Sequence, residues 1–302
     1  MSESRTEDRV TFERLKEECT AAIWAGELER AREIIERALS WAREKGEPRL
    51  VDAAVCARAG IEIDLGRGEA ELSHLRQILL KNSDPSNCWL AAYSLSRYYE
   101  LTKNYKKSLF YARIHCDRAE LLGRRDWRAS SHNQLGNALL AESFVEEASK
   151  EYEKALELIS EEPGLRLALI QLNLGYCRVL QKCYREGCGL LYSCLEILRP
   201  LGAHGFQVMA RLDLCFAHLE TGRYRLAQRE GLAALELAQR TAQAEGVKNA
   251  LYLLGEAANL RGDTATARAY FCRLQEEFFP GSTYLPGFLL AVDVRKLVNL
   301  HA

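Results

Sequence analysis

The sequence predicts an all-α protein built as a helical-repeat solenoid, and three observations carry that reading. Small residues recur at a nearly fixed interval, at Cys19, Ala59, Ser96, Gly136, Gly175, Cys215 and Gly255, with separations of 40, 37, 40, 39, 40 and 40 residues. A second small column, Ala31, Ser108, Ala148, Gly187, Ala227 and Ala267, keeps the same register. Only 6 prolines interrupt 302 residues, and 48% hydrophobic against 27% charged residues suits packed helices and excludes disorder. A period of this size marks the stacking of one supersecondary unit that cannot bury its apolar face alone.

Each period reads as helix A, a turn and helix B. The turn lies seven residues after the first small column, at Gly26, Gly66, Lys103, Ser143, Lys182, Gly222 and Gly262. An aromatic or apolar residue follows most turns, at Leu28, Tyr105, Val145, Tyr184 and Tyr224. Apolar residues at helical offsets define the B helices, as in Ile34, Ile35, Ala38 and Leu39, or Tyr152, Ala155 and Leu156. Small residues belong where two helices cross, because a bulky side chain there holds the axes apart. Breaker-rich segments, Lys45-Gly46-Glu47-Pro48, Ser83-Asp84-Pro85, Glu161-Glu162-Pro163-Gly164 and Arg199-Pro200-Leu201-Gly202, separate successive repeats.

The early repeats depart from the pattern. Repeat two is three residues short, Glu18 and Arg58 stand where an apolar residue is expected, and Glu71 replaces a small one. The wet outer face of a terminal repeat accounts for such polar intrusions. Residues 1–8 read as a tail, 9–279 as seven repeats and 280–302 as a C-terminal cap. The cap begins after the breaker Phe278-Phe279-Pro280-Gly281, with an amphipathic helix from Phe288 to Leu300 carrying Leu289, Leu290, Val292, Val294, Leu297 and Val298. The same face is also suited to forming a homodimer.

Leu135, Gly136, Ala148, Tyr152 and Ala155 in repeat four, with Leu254, Gly255, Ala267 and Phe271 in repeat seven, resemble the tetratricopeptide repeat (TPR) family. The period near 40 is similar to the lengthened repeats of MalT-like bacterial regulators and of Leu-Gly-Asn adaptors, whose tripeptide stands at Leu135-Gly136-Asn137. The resemblance implies a right-handed α-solenoid of seven TPR-like helix pairs with a C-terminal capping helix.

Composition narrows the partners. With 41 basic and 42 acidic residues the net charge is −1, which argues against nucleic acid. No 18-residue apolar run suggests a membrane span, and the charged start MSESRTEDRVTFERLKEE lacks the apolar core of a secretory signal. A cytoplasmic location is expected. The 10 cysteines then read as reduced packing thiols, and the spacing of Cys177, Cys183, Cys188 and Cys194 does not close a zinc site. His115, His132 and His218 read as residues wedged between helices. His115 and Cys116 are adjacent and point about 100° apart on a helix, so they do not form a nucleophile pair. No phosphate loop, metalloprotease motif or serine elbow occurs. The expectation is a non-enzymatic protein with no cofactor and no metal.

In TPR arrays helix A lines a concave groove, so the resemblance implies a peptide-binding surface of Tyr93, Arg97, Asn133, Asn137, Asn173, Tyr176, Phe216 and Tyr252. Asparagine is a poor helix former, and its recurrence on helix A calls for a reason. Its amide offers donors and an acceptor to an extended peptide backbone. Asn137 and Asn173 occupy the two asparagine positions of the carboxylate clamp of chaperone adaptors. Asn133, Met209 and Asp213 stand where that clamp needs cations, so an internal segment fits better than a terminal carboxylate. The leading reading is a scaffold for a protein or peptide. The alternative is a sensor array, similar to the ligand-sensing part of MalT-like regulators, acting on a separate effector chain.

Overall fold

The computed structural model describes residues 2–24, 27–159, 164–295 and 300, with the side chains of 2–10 and of Trp24 excluded. Gly26, Glu161, Glu162, Pro163, Leu297 and Val298, named above, lie outside the described residues. Among the described residues the chain folds into fifteen α-helices and one 3-10 turn, with no strand. No described helix is long and apolar enough to cross a membrane. The chain divides into two compact units, Met1–Ser143 and Phe144–Ala302. The boundary falls in the turn of repeat four.

The first unit holds α1 (Ser2–Trp24), α2 (Leu28–Glu44), α3 (Pro48–Asp64), a 3-10 turn (Gly68–Glu71), α4 (Leu72–Lys81), α5 (Pro85–Leu101), α6 (Tyr105–Leu122) and α7 (Arg125–Ala141). Helix α1 already begins at Ser2, so the segment expected as a tail is helical. Pro48 and Pro85 occupy the first turns of α3 and α5, where a missing N–H costs nothing. Asp84 caps α5 by accepting the Asn87 amide at 2.9 Å.

The second unit holds α8 (Val145–Leu158), α9 (Leu165–Leu180), α10 (Tyr184–Leu198), α11 (His204–Glu220), α12 (Tyr224–Arg240), α13 (Ala244–Leu260), α14 (Thr264–Phe278) and α15 (Leu285–Ala291). Arg178 of α9 ties three of these helices together. It reaches Ser149 Oγ at 2.8 Å and Glu186 at 2.7 Å, and pairs with Glu153.

Every described member of the turn column adopts a left-handed backbone: Gly66, Lys103, Ser143, Lys182, Gly222 and Gly262 have φ between 57° and 83°. This is the C′ conformation that ends an α-helix by satisfying its last carbonyls. Lys103, Ser143 and Lys182 hold it despite a Cβ, which shows how strongly the helix pair imposes the turn.

The two small columns are buried and meet one another. In repeat one the Cys19 thiol lies 3.5 Å from the Ala31 carbonyl. In repeat three Ser96 Oγ donates to the Ser108 carbonyl at 3.1 Å. In repeat five a Cβ added to Gly187 would lie 2.8 Å from the Gly175 carbonyl oxygen, so the two backbones touch. All three pairs are twelve residues apart.

Two sequence expectations need correction. Arg58 and Glu71 do not face water: they pair at 3.0 Å with side chains 13% and 11% exposed, joining α3 to the 3-10 turn of the short repeat. The final helix is shorter and earlier than expected. It ends at Ala291, and Val292 is extended at φ −125°, ψ 123°. Leu289 is buried, and Leu285 and Leu290 pack on the core of the second unit, so this helix does cover apolar surface.

Candidate functional site

The A helices of the first unit carry a polar network. Gln134 on α7 donates to Ser96 Oγ at 3.2 Å and to Glu100 Oε2 at 2.9 Å on α5. Burial raises the Glu100 pKa above the ordinary carboxylate value, opposed by the Gln134 hydrogen bond and Arg97. Trp89 stacks between His115 and Trp127, with centroids at 4.6 and 4.2 Å, and donates from Nε1 to Ser131 Oγ at 2.8 Å. His115 is buried and contacts the Trp89 carbonyl at 2.9 Å, and burial pushes its pKa down to about 4. It is a neutral packing group.

The expected site residues of this unit lie on that framework. Tyr93 and Arg97 are one turn apart on α5, with Arg97 Nη1 at 3.4 Å from the Tyr93 hydroxyl and Nη2 at 2.8 Å from Asp64. Asn133 and Asn137 are one turn apart on α7, both half-buried. In the second unit Asn173 on α9 is half-buried and Phe216 on α11 is partly buried. Asn137 and Asn173 therefore belong to different units.

Tyr176 and Tyr252, expected to line an open groove, are only 1% and 7% exposed. The chain itself covers them. Beyond α15, Arg295 meets helices α11 and α13 and Leu300 meets α9. The Leu300 amide donates to the Tyr176 hydroxyl at 3.1 Å. Arg295 donates from Nη1 to Glu220 at 2.9 Å, lies 3.8 Å from Glu256 and grips Asp293 with both Nε and Nη2. The Asn259 side chain donates to the Leu290 carbonyl at 3.4 Å. Glu256 is 2% exposed, and burial lifts its pKa to about 7, with Arg295 pulling it down and Asp293 pushing it up. Asp213 on α11 is also buried. This face is aromatic and acidic.

Sequence reasoning missed this arrangement. Arg295 and Glu220 carry no sequence signal, being 75 residues apart. It also missed the partner of Cys116. The thiol lies 3.6 Å from His132 Nδ1, and His132 Nε2 lies 3.5 Å from Glu120. The i,i+4 spacing of Cys116 and Glu120 on α6 was the available clue. Arg128 holds the same Glu120 oxygen at 2.9 Å and the thiol is buried, so the arrangement packs α6 against α7. The four clustered cysteines separate: Cys177 is buried on α9, Cys183 is exposed in the turn, and Cys188 and Cys194 lie on α10.

No protein-family model matches the chain, and no curated protein does. Solved structures do match. The apo form of RapI is 11% identical with a TM-score of 0.66, over 95% of this chain and 84% of that one. NprR, solved in complex with its cognate peptide NprX, is 14% identical with a TM-score of 0.65, over 92% and 81%. A tetratricopeptide repeat protein from Parabacteroides merdae is 15% identical with a TM-score of 0.55, over 93% and 97%. At these identities the likeness defines the fold, a TPR-like, all-α helical-repeat solenoid.

Proposed function

We propose that the protein is a non-enzymatic TPR-like scaffold, without cofactor or metal, that binds a peptide or protein segment along its A helices. The observation carrying this reading is the chain segment on helices α9, α11 and α13 of the second unit. That face receives backbone through Tyr176 and a charged side chain through Glu220 and Glu256, the two kinds of contact an extended ligand makes. The amides of Asn133, Asn137 and Asn173 and the aromatic rings of Tyr93, Phe216 and Tyr252 suit the same task. The partner is a protein or peptide rather than nucleic acid or membrane, and the setting is cytoplasmic. Packing of Leu285, Leu289 and Leu290 within the chain favours a capping role for α15 over a homodimer contact.

A sensor reading has one observation of its own. NprR was crystallised with a peptide, and its fold is similar to this one over most of both chains. A sensor changes its dimensions in small-angle scattering when ligand is added, and a static scaffold does not.

The test of the main reading starts with capture of a partner from the native cell by the parent protein. Asn133→Ala with Asn137→Ala probes the first unit, and Asn173→Ala with Tyr252→Phe the second. Each lost hydrogen bond is worth about 0.5–1.5 kcal/mol, so either pair weakens the captured partner severalfold while leaving helicity unchanged. Undiminished binding by both pairs removes the A-helix faces from recognition.

A further inference from the structure

The segment following α15 is held as a bound peptide is held. It has a charged anchor, Arg295, between carboxylates of α11 and α13. It has apolar contacts, with Val294 and Leu300 packed against the core of the second unit. It has a backbone hydrogen bond, from the Leu300 amide to Tyr176. Its first residue is already extended.

The fit is incomplete. Among the described residues Glu256 Oε1 and the Tyr252 hydroxyl are buried without a hydrogen-bond partner, although Arg295 Nε lies 3.8 Å from the other Glu256 oxygen. Arg295 instead spends Nε and Nη2 on Asp293, two residues before it in its own segment. A guanidinium offers five donors in a rigid fork. An arginine not engaged by its own neighbour has those donors free for Glu256 and Tyr252. The buried carboxylate of Glu256 and the part-exposed Glu220 select a cation, and Phe216, Tyr176 and Tyr252 supply apolar surface beside it.

We infer that the face formed by α9, α11 and α13 is an arginine-reading slot, that residues 292–295 and Leu300 occupy it in cis, and that the partner is an extended peptide carrying an arginine between apolar residues, which binds by displacing them. The inference rests on the peptide-binding reading above and names its ligand chemistry and its competitor. A site that is mostly self-occupied shows a weakened apparent affinity, in proportion to the open fraction.

The test uses the full chain and a fluorescent probe peptide with the sequence of residues 291–302, with a second probe in which alanine replaces the arginine. Arg295→Ala removes the internal anchor. The expected result is loss of amide-exchange protection over residues 292–295 and at Leu300, together with at least about tenfold tighter binding of the arginine probe than the parent shows. The alanine probe shows no such gain, and adding Glu220→Gln and Glu256→Gln to Arg295→Ala abolishes it. If the buried Glu256→Gln change lowers the melting temperature, Glu220→Gln alone carries that arm, since Glu220 is more exposed.

Three results overturn the inference. Protection is unchanged in Arg295→Ala, or the segment is released with no gain in probe affinity, or both probes gain equally. Each is distinct from failure of the broader reading, which is decided by the captured native partner. A partner that depends on Asn133, Asn137 or Asn173 and ignores Arg295 keeps the scaffold and removes the arginine slot.

Discussion

The two units solve the same crossing problem with different chemistry. In the first, helices of repeat three approach through serine: Ser96 Oγ bonds the Ser108 carbonyl, lies 3.3 Å from the Ser108 hydroxyl and receives Gln134 from the next A helix. In the second, repeat five brings Gly175 and Gly187 into backbone contact, and repeat seven seats Phe271 where a Cβ on Gly255 would lie 2.2 Å away. Hydrogen-bonded serines fix a crossing by direction, whereas glycines fix it by distance. The first arrangement leaves polar groups at the A helices, and the second brings backbone or a ring directly against a glycine. The difference teaches that a small-residue column specifies close approach without specifying how the approach is held.

The largest expected effect breaks the glycine crossing. Gly187→Leu forces its Cβ against the Gly175 carbonyl and Val179, where backbone cannot yield, and costs about 3 kcal/mol in denaturant unfolding. Ala148→Leu and Gly175→Leu follow at about 1–3 kcal/mol. A full-stability Gly187→Leu protein ends the close-approach account of the second unit.

Acid and base separate the units next. His115 has a folded pKa pushed below its ordinary 6.5 to about 4, so its contribution to the first unit is present above pH 6.5 and is lost as pH falls toward 4. Glu256 has a folded pKa raised from 4.5 to about 7, so stability in the second unit is lost as pH rises between those values. Amide exchange followed from pH 4 to 8 is expected to show opposite trends in the two units, each flattened by His115→Gln or Glu256→Gln. Parallel trends in both units contradict the assignment.

A smaller effect probes the serine crossing. Ser96→Ala removes a bond to Ser108 and one partner of Gln134, and costs about 1 kcal/mol. Ser96→Gly with Ser108→Gly restores the geometry of the second unit without its packing, and is expected to be less stable than Ser96→Ala because of glycine's backbone entropy. A melting series of these variants orders them.

The smallest effect is one in which the units agree. Lys103 and Lys182 have left-handed backbones at φ 57° and 64° in equivalent exposed turns. Replacing either by glycine relieves the Cβ strain and raises stability by about 0.5 kcal/mol after glycine's own entropic cost. Equal gains in both units confirm that the turn is a local device. Unequal gains show that tertiary packing reaches it.

The turns, the two small columns and the alternation of A and B helices were all legible in the sequence. Each depends on residues within one repeat, and the repeat prints the same requirement many times over. Lys103, Ser143 and Lys182 were placed correctly as turn residues although none is a glycine, because register outweighs residue type. The site was legible only in part. Tyr176 and Tyr252 were placed on the A-helix face, yet their burial beneath residues 292–295 and Leu300 was not. Arg58 and Glu71 read as two charges facing water, since a single chain position cannot announce that its charge has a buried counterpart.

The sequence by itself determined the class of fold, the repeat length and where the helices of each pair cross, because periodic burial against adjacent repeats is a short-range constraint. Only the tertiary structure decided what fills the A-helix face of the second unit. Arg295 meets Glu220 across 75 residues, and Leu300 meets Tyr176 across 124. Contacts at that separation occur once in the chain, have no period to reveal them, and exist only after the stacked helices have created the acidic slot that desolvates and holds the arginine.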